Sequence, residues 1–175
     1  MKPWLKKVNR IEPILFDRSK FLRLDKNERV INFEKKFLNF LKKKINTYLI
    51  SAYPEIAKIK KLISKKIKVT YNNIFISAGS DLSLKTCFEL FTKNNDKVII
   101  LDPTFGMVNV YCEIYNLRKI KINYDKNLKL NYKKLFKNIS KKISLIILAN
   151  PNSPTGTIID HKIMLEILKK TKKFN

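Results

Sequence analysis

Two short stretches carry residue types that can hold an anion or offer hydrogen bonds at one end of a sheet. Ala78-Gly79-Ser80-Asp81 joins a strand-like run to a helical pattern. A helix amino terminus there has backbone N–H groups without intrahelical partners and the positive end of the helix dipole, and a serine hydroxyl adds a donor. The same residues are equally a plain helix start in which Ser80 caps the first turn. Ala149-Asn150-Pro151-Asn152-Ser153-Pro154-Thr155-Gly156 follows the apolar run Leu145-Ile146-Ile147-Leu148. Its prolines predict a rigid, extended loop, and Gly156 permits a turn that a Cβ would resist. Short polar side chains at the carboxyl end of a buried strand sit where open α/β sheets bind ligands. An ordinary strand-to-helix connection would show the same Asn-Pro pairs. Asp102-Pro103-Thr104-Phe105 ends a further apolar run, and by itself Phe105 reads as a core aromatic.

The elements that must position these loops are legible from periodicity. From Tyr71 onward strand and helix patterns alternate, which predicts a mostly parallel sheet covered by helices. Strands are expected over 74–77, 97–101, 119–122 and 144–148. Helices are expected over 81–91 with Leu84, Cys87, Phe88 and Phe91 inward, over 106–115 with Met107, Val110, Tyr111 and Ile114 inward, over 132–136, and over 160–170 with Ile163, Ile167 and Leu168 buried. Ahead of this, residues 1–25 read as an irregular arm interrupted by Pro3 and Pro13. A helix from Asn32, stopped by the loop at 49–55, aligns Phe33, Phe37, Phe40 and Leu41, and a second over 55–66 is expected to bury Ile56, Ile59 and Ile63 and expose its lysines. The chain thus divides into an arm and helix segment over 1–48 and an α/β segment over 49–175.

Composition narrows the class. The chain has 175 residues, 45% of them hydrophobic, which suits a globular domain with a real core. No run approaches the roughly 20 apolar residues of a membrane span, and the basic amino end lacks an apolar segment behind it. Cys87 and Cys112 each fall on an apolar helical stripe, which predicts core thiols in a reducing cytoplasm and no metal. Lys and Arg total 38 against 14 Asp and Glu, a formal charge of +24. The basic residues are spread over almost every segment, and no zinc-finger spacing, RNA-binding aromatic signature or basic heptad accompanies them. They read as solvated faces, with no nucleic-acid or membrane partner.

Taken together, the 149–156 loop resembles the Asn-Pro-Asn-Asn-Pro-Thr-Gly loop of fold-type-I aminotransferases that use pyridoxal 5'-phosphate, and other stretches match that family in order. Gly79-Ser80-Asp81 is similar to the Gly-Ser-Asp turn of the histidinol-phosphate aminotransferase group, which implies that these three residues bind the cofactor phosphate. Asp102-Pro103-Thr104-Phe105 resembles the Pro-Thr-Tyr turn whose ring stacks on the pyridine, a role that would pass to Phe105. Ser153 stands where the family has the asparagine that donates to the ring oxygen, with Asn152 as the alternative donor. Tyr53-Pro54-Glu55 is similar to a Tyr-Pro-Glu whose tyrosine reaches the cofactor of a second subunit, which implies a homodimer. Leu24-Asp25-Lys26-Asn27-Glu28 resembles a substrate-side arm, so Asn27 and Glu28 would face substrate, although Arg29-Val30 replaces the usual Asn-Pro.

The resemblance implies the amino-terminal half of an enzyme that moves an amino group between glutamate or 2-oxoglutarate and a phosphorylated or anionic substrate, with histidinol phosphate the best match. The family's Schiff-base lysine, pyridinium aspartate, Asp-Glu-Ala-Tyr segment and substrate arginine come later in its chain, and none is matched here. No catalytic residue is therefore assigned, and transamination by this chain alone is expected to fall to almost nothing. A last helix with no following strand would leave an open edge and apolar surface. Alternatives are a non-catalytic or split module completed by a partner chain, a threonine-phosphate decarboxylase-like enzyme, and a basic nucleic-acid binder. The last would show a steep salt dependence of binding.

Overall fold

A computed structural model describes the chain apart from Met1, residues 9–16, Asp25, Asn27, Asn175 and the Lys7 side chain. Contacts divide it into two compact units, Ile11–Ile76 and a second formed by Met1–Arg10 with Ser77–Asn175. The division falls at Ile76/Ser77, not at 48/49, and the described residues 2–8 group with the sheet.

The 11–76 unit contains α1 (Lys35–Lys44), α2 (Thr47–Ser51) and α3 (Ile56–Ile67). Asn46 starts α2 by accepting a hydrogen bond from the Leu49 N–H at 2.8 Å, so the helix expected to run on to residue 49 is broken into two. Lys68 ends α3 in the left-handed conformation at φ 54°. The helix expected from Asn32 begins at Lys35 and leaves Phe33 ahead of it, and the apolar stripes are not buried: Phe33, Phe40, Ile56 and Ile59 are 59%, 53%, 54% and 51% exposed. Periodicity fixes which residues share a face, while burial needs a second surface on that face.

In the other unit, β1 (Lys97–Asp102), β2 (Arg118–Asn123) and β3 (Ile143–Ile147) form a parallel sheet in the order β2-β1-β3. Val98, Ile99, Ile100 and Leu101 are all 0% exposed, the continuous apolar run of a central strand covered on both faces. Ile99 and Leu101 face one layer with Ile122, Leu135, Ile139, Ile159 and Ile167. Val98 and Ile100 face the other with Phe88, Val108, Tyr111 and Cys112. The first layer is closed by α6 (Tyr132–Asn138) and α7 (His161–Thr171), the second by α4 (Gly79–Phe91) and α5 (Gly106–Ile114). Trp4 in the turn Pro3–Lys7 donates its indole N–H to the Ile114 carbonyl at 3.1 Å, which fastens the amino end to the close of α5.

Residues 74–77 are not the expected strand; they pair with no strand among the described residues. Helix phases also differ. Val108, Tyr111 and Cys112 form the buried stripe of α5, one residue round from the expected face. With Met107, Val108, Val110, Tyr111, Cys112 and Ile114 all apolar or aromatic, two adjacent stripes are equally good by period, and packing chooses one. On α7 the inward residues are Ile163, Met164 and Ile167, while Leu168 is 55% exposed. On α4 only Phe88 is fully buried, Phe91 is 59% exposed, and Cys87 is an exposed free thiol instead of a core one. No helix among the described residues is long and apolar enough to cross a membrane.

Candidate functional site

Strand order locates the site before any side chain is considered. β1 lies between β2 and β3; its following helix, α5, covers one face, and the helix after β3, α7, covers the other. The chain therefore leaves the carboxyl ends of two adjacent parallel strands in opposite directions, which opens a crevice between them. The loops lining it are 103–105 and 148–157.

The start of α4 is tied to α5. Tyr111 on α5 donates to Asp81 Oδ1 at 3.0 Å, and Tyr115, one turn later, donates to Glu89 Oε1 at 2.9 Å. Advancing along α5 thus advances along α4, so the two helices run in the same general sense. The Tyr115 contact lowers the Glu89 carboxyl, with help from Lys85, while desolvation and then Glu89 raise the Tyr115 phenol. The first turn of α4 has no side-chain cap, and Gly79 sits at φ +84° with nothing within 4 Å of where a Cβ would be. Gly79 and Ser80 are exposed, and Asp81 is half-buried with its carboxylate held by Tyr111.

The two loops are tied to each other. Thr104 donates to Asn152 Oδ1 at 2.9 Å, and Asn152 Nδ2 donates to the Pro103 carbonyl at 3.0 Å and to Thr155 Oγ1 at 2.9 Å. The 149–156 loop is not extended: Asn152 N–H reaches the Thr157 carbonyl at 2.8 Å and Gly156 N–H reaches the Asn152 carbonyl at 2.7 Å, curling it closed. Gly156 takes φ +68° in that turn. Thr157 Oγ1 donates to the Tyr124 hydroxyl at 3.1 Å, bringing in the end of β2. Asn152 is 2% exposed, whereas Ser153 is exposed and the Phe105 ring is 43% exposed. Of the two candidate donors, Ser153 is the one turned outward.

Phe105, Asn152 and Ser153 therefore lie in the two tied loops at the carboxyl edge of the sheet, while Gly79, Ser80 and Asp81 open α4, which Asp81 joins to α5 through Tyr111. Tyr53 belongs to the 11–76 unit and is 95% exposed there. Glu28, in that same unit, is ion-paired with Arg18 and, at 3.6 Å, with Arg23. Asn27 lies outside the described residues. Sequence reasoning missed Thr104, Tyr111, Tyr124, Thr155 and Thr157. The clustered threonines around Gly156 were a usable signal, but a tyrosine more than 20 residues away was not. Chemically the start of α4 offers uncapped N–H groups and a hydroxyl for an anion, and the tied loops offer an open aromatic face and a second hydroxyl.

Residues 18–175 match the family model described as aminotransferase class I and II. The histidinol-phosphate aminotransferase of Pelagibacter ubique (strain HTCC1062) is 31% identical over 154 residues, covering 87% of this chain and 42% of that protein. That of Methanocaldococcus jannaschii is 34% identical over 127 residues, covering 70% and 34%. Among solved structures, the Sinorhizobium meliloti histidinol-phosphate aminotransferase in complex with pyridoxal-5'-phosphate superposes with a TM-score of 0.68 at 17% identity, covering 78% of this chain and 37% of that one. That likeness is one of fold. The chain spans about two fifths of the length of the first curated relatives it matches.

Proposed function

The chain belongs to the class I and II aminotransferases, and from that premise we propose that it forms the phosphate seat and one wall of a pyridoxal 5'-phosphate pocket. The enzyme it serves moves an amino group between glutamate or 2-oxoglutarate and a phosphorylated or anionic substrate, with histidinol phosphate favoured by the named relatives. What supports this reading is the pair of loops tied together at the carboxyl edge, with the Phe105 ring and Ser153 exposed beside the buried Thr104 and Asn152, and the uncapped, exposed start of α4.

The donor set fits such a group. A phosphate dianion suits the N–H groups of the first turn of α4 together with the Ser80 hydroxyl. The carboxylate of Asp81 would oppose it, but Tyr111 draws that charge into a hydrogen bond. Phe105 offers its face to a flat ring, and Ser153 a donor to a ring oxygen. When bound, pyridoxal phosphate supplies an electron sink for carbanion chemistry. The residues here bind and orient; none is assigned a proton-transfer or covalent role. The 175-residue polypeptide by itself is accordingly proposed to bind cofactor without turnover, in the cytoplasm, with Tyr53 reserved for the site of a second subunit.

Pyridoxamine 5'-phosphate is the better probe, because the aldehyde of the oxidised form also condenses with surface lysines. Saturable binding to the chain is expected, with affinity reduced about tenfold in Ser80→Ala, the scale of one hydrogen bond to a charged group. A chain that takes up no pyridoxamine phosphate at all would refute the reading.

A further inference from the structure

Among the described residues the buried polar side chains are Thr104 and Asn152, and they are bonded to each other. We propose that Asn152 is a positioning residue, which never touches the cofactor but fixes the spacing between the ring that faces it and the hydroxyl that donates to it. This rests on the reading of the crevice as a pyridoxal phosphate pocket.

Thr104 immediately precedes Phe105, and Asn152 immediately precedes Ser153. In each loop the buried residue is locked and its neighbour is presented to the crevice. The lock consumes every polar function of Asn152: its Oδ1 accepts from Thr104, its Nδ2 donates to Pro103 and Thr155, its N–H reaches Thr157, and its carbonyl accepts from Gly156. No donor remains for a ligand. An aspartate would keep the acceptor but turn an oxygen toward the Pro103 carbonyl, so the amide is required and not merely a polar group of that size. Ser153 is shorter than the family's asparagine and has less reach, which makes the placement of its backbone more consequential.

The test titrates wild type, Asn152→Ala, Thr104→Val and the double variant with pyridoxamine 5'-phosphate and, separately, with inorganic phosphate. Hydrogen exchange is followed at the Asn152 and Gly156 amides. Asn152→Ala is expected to weaken pyridoxamine phosphate binding about tenfold while leaving inorganic phosphate within about twofold, since the α4 seat does not depend on the lock. Thr104→Val should act in the same direction and the double variant no further, and exchange at the two amides should accelerate in Asn152→Ala. Wild-type affinity for pyridoxamine phosphate in Asn152→Ala despite lost amide protection overturns the inference and leaves the pocket reading standing. Equal loss of both ligands, or additive effects of the two substitutions, also overturns it by making the role general or the two residues independent. Failure of wild type to bind pyridoxamine phosphate removes the pocket reading and this inference together.

Discussion

Cys87 and Cys112 show how much one turn of helix decides for a side chain. Both lie on stripes that read as apolar, yet Cys112 is buried against the sheet and Cys87 faces solvent. Burial pushes the Cys112 thiol up to about 11, which removes the thiolate at neutral pH. Iodoacetamide at pH 7.5 is therefore expected to label Cys87 readily and Cys112 only on unfolding, read by mass of the tryptic peptides. Equal labelling of both in the folded chain would contradict the packing of α5. Ser153 and Asn152 repeat the lesson at the crevice, where the pair was legible from the sequence. The choice of which residue faces outward was not, because it depends on Thr104 from a loop 48 positions away.

At the scale of elements, the sheet start is held by Asp96. Its Oδ2 accepts from Ser144 Oγ at 2.7 Å and from the Lys93 N–H at 2.9 Å, joining the approach to β1 with β3. These hydrogen bonds, that from Ser144 first, hold its carboxyl below the ordinary 3.8. A lowered folded-state value means stability that is present above the unfolded value and lost as pH falls through the folded one. Wild type is thus expected to lose stability on acidification below about pH 3.8 more steeply than Asp96→Asn, measured by denaturant titration at several pH values. Identical pH profiles would dismiss the clamp. α6 makes a complementary case. Leu135 is 0% exposed, so Leu135→Ala is expected to cost about 2–5 kcal/mol, with loss of the α6 face of the core. A change under about 1 kcal/mol would mean that α6 is not packed as described. Strand existence over β1 and β3 was legible from apolar runs, and over β2 from the alternation of lysine and isoleucine. The 74–77 strand was not realised, because a strand is a pairing and periodicity says nothing about the partner.

For the whole molecule, the informative surface is apolar. Leu90, Phe91, Ile56 and Leu62 are 71%, 59%, 54% and 69% exposed, spread over both compact units. Single exposed apolar residues are ordinary, but several on one helix are the kind of surface that other protein normally covers. Strong fluorescence enhancement of an anilinonaphthalene dye is expected at neutral pH. A chain that left the dye dark would show those faces to be covered in solution. Of the fold, the alternation of strand and helix, the parallel sheet and the loops at its carboxyl ends were readable from residues 71–170, since buried parallel strands are continuously apolar and their loops are polar and rich in proline. The burial expected for Ile56 and Ile59 of α3 is not found, since a stripe specifies a face without supplying anything to lie on it.

What the sequence determined by itself was local and chemical: glycine where a helix begins with positive φ, short polar residues after a buried strand, an aromatic after a proline turn. Those depend only on a residue and its near neighbours. What the tertiary structure decided was convergence and orientation, meaning the strand order that opens a crevice between β1 and β3, the shared general sense of α4 and α5, and the inward turn of Asn152. These follow from contacts between residues tens of positions apart, and such contacts are selected by packing and hydrogen-bond satisfaction, which no local pattern encodes.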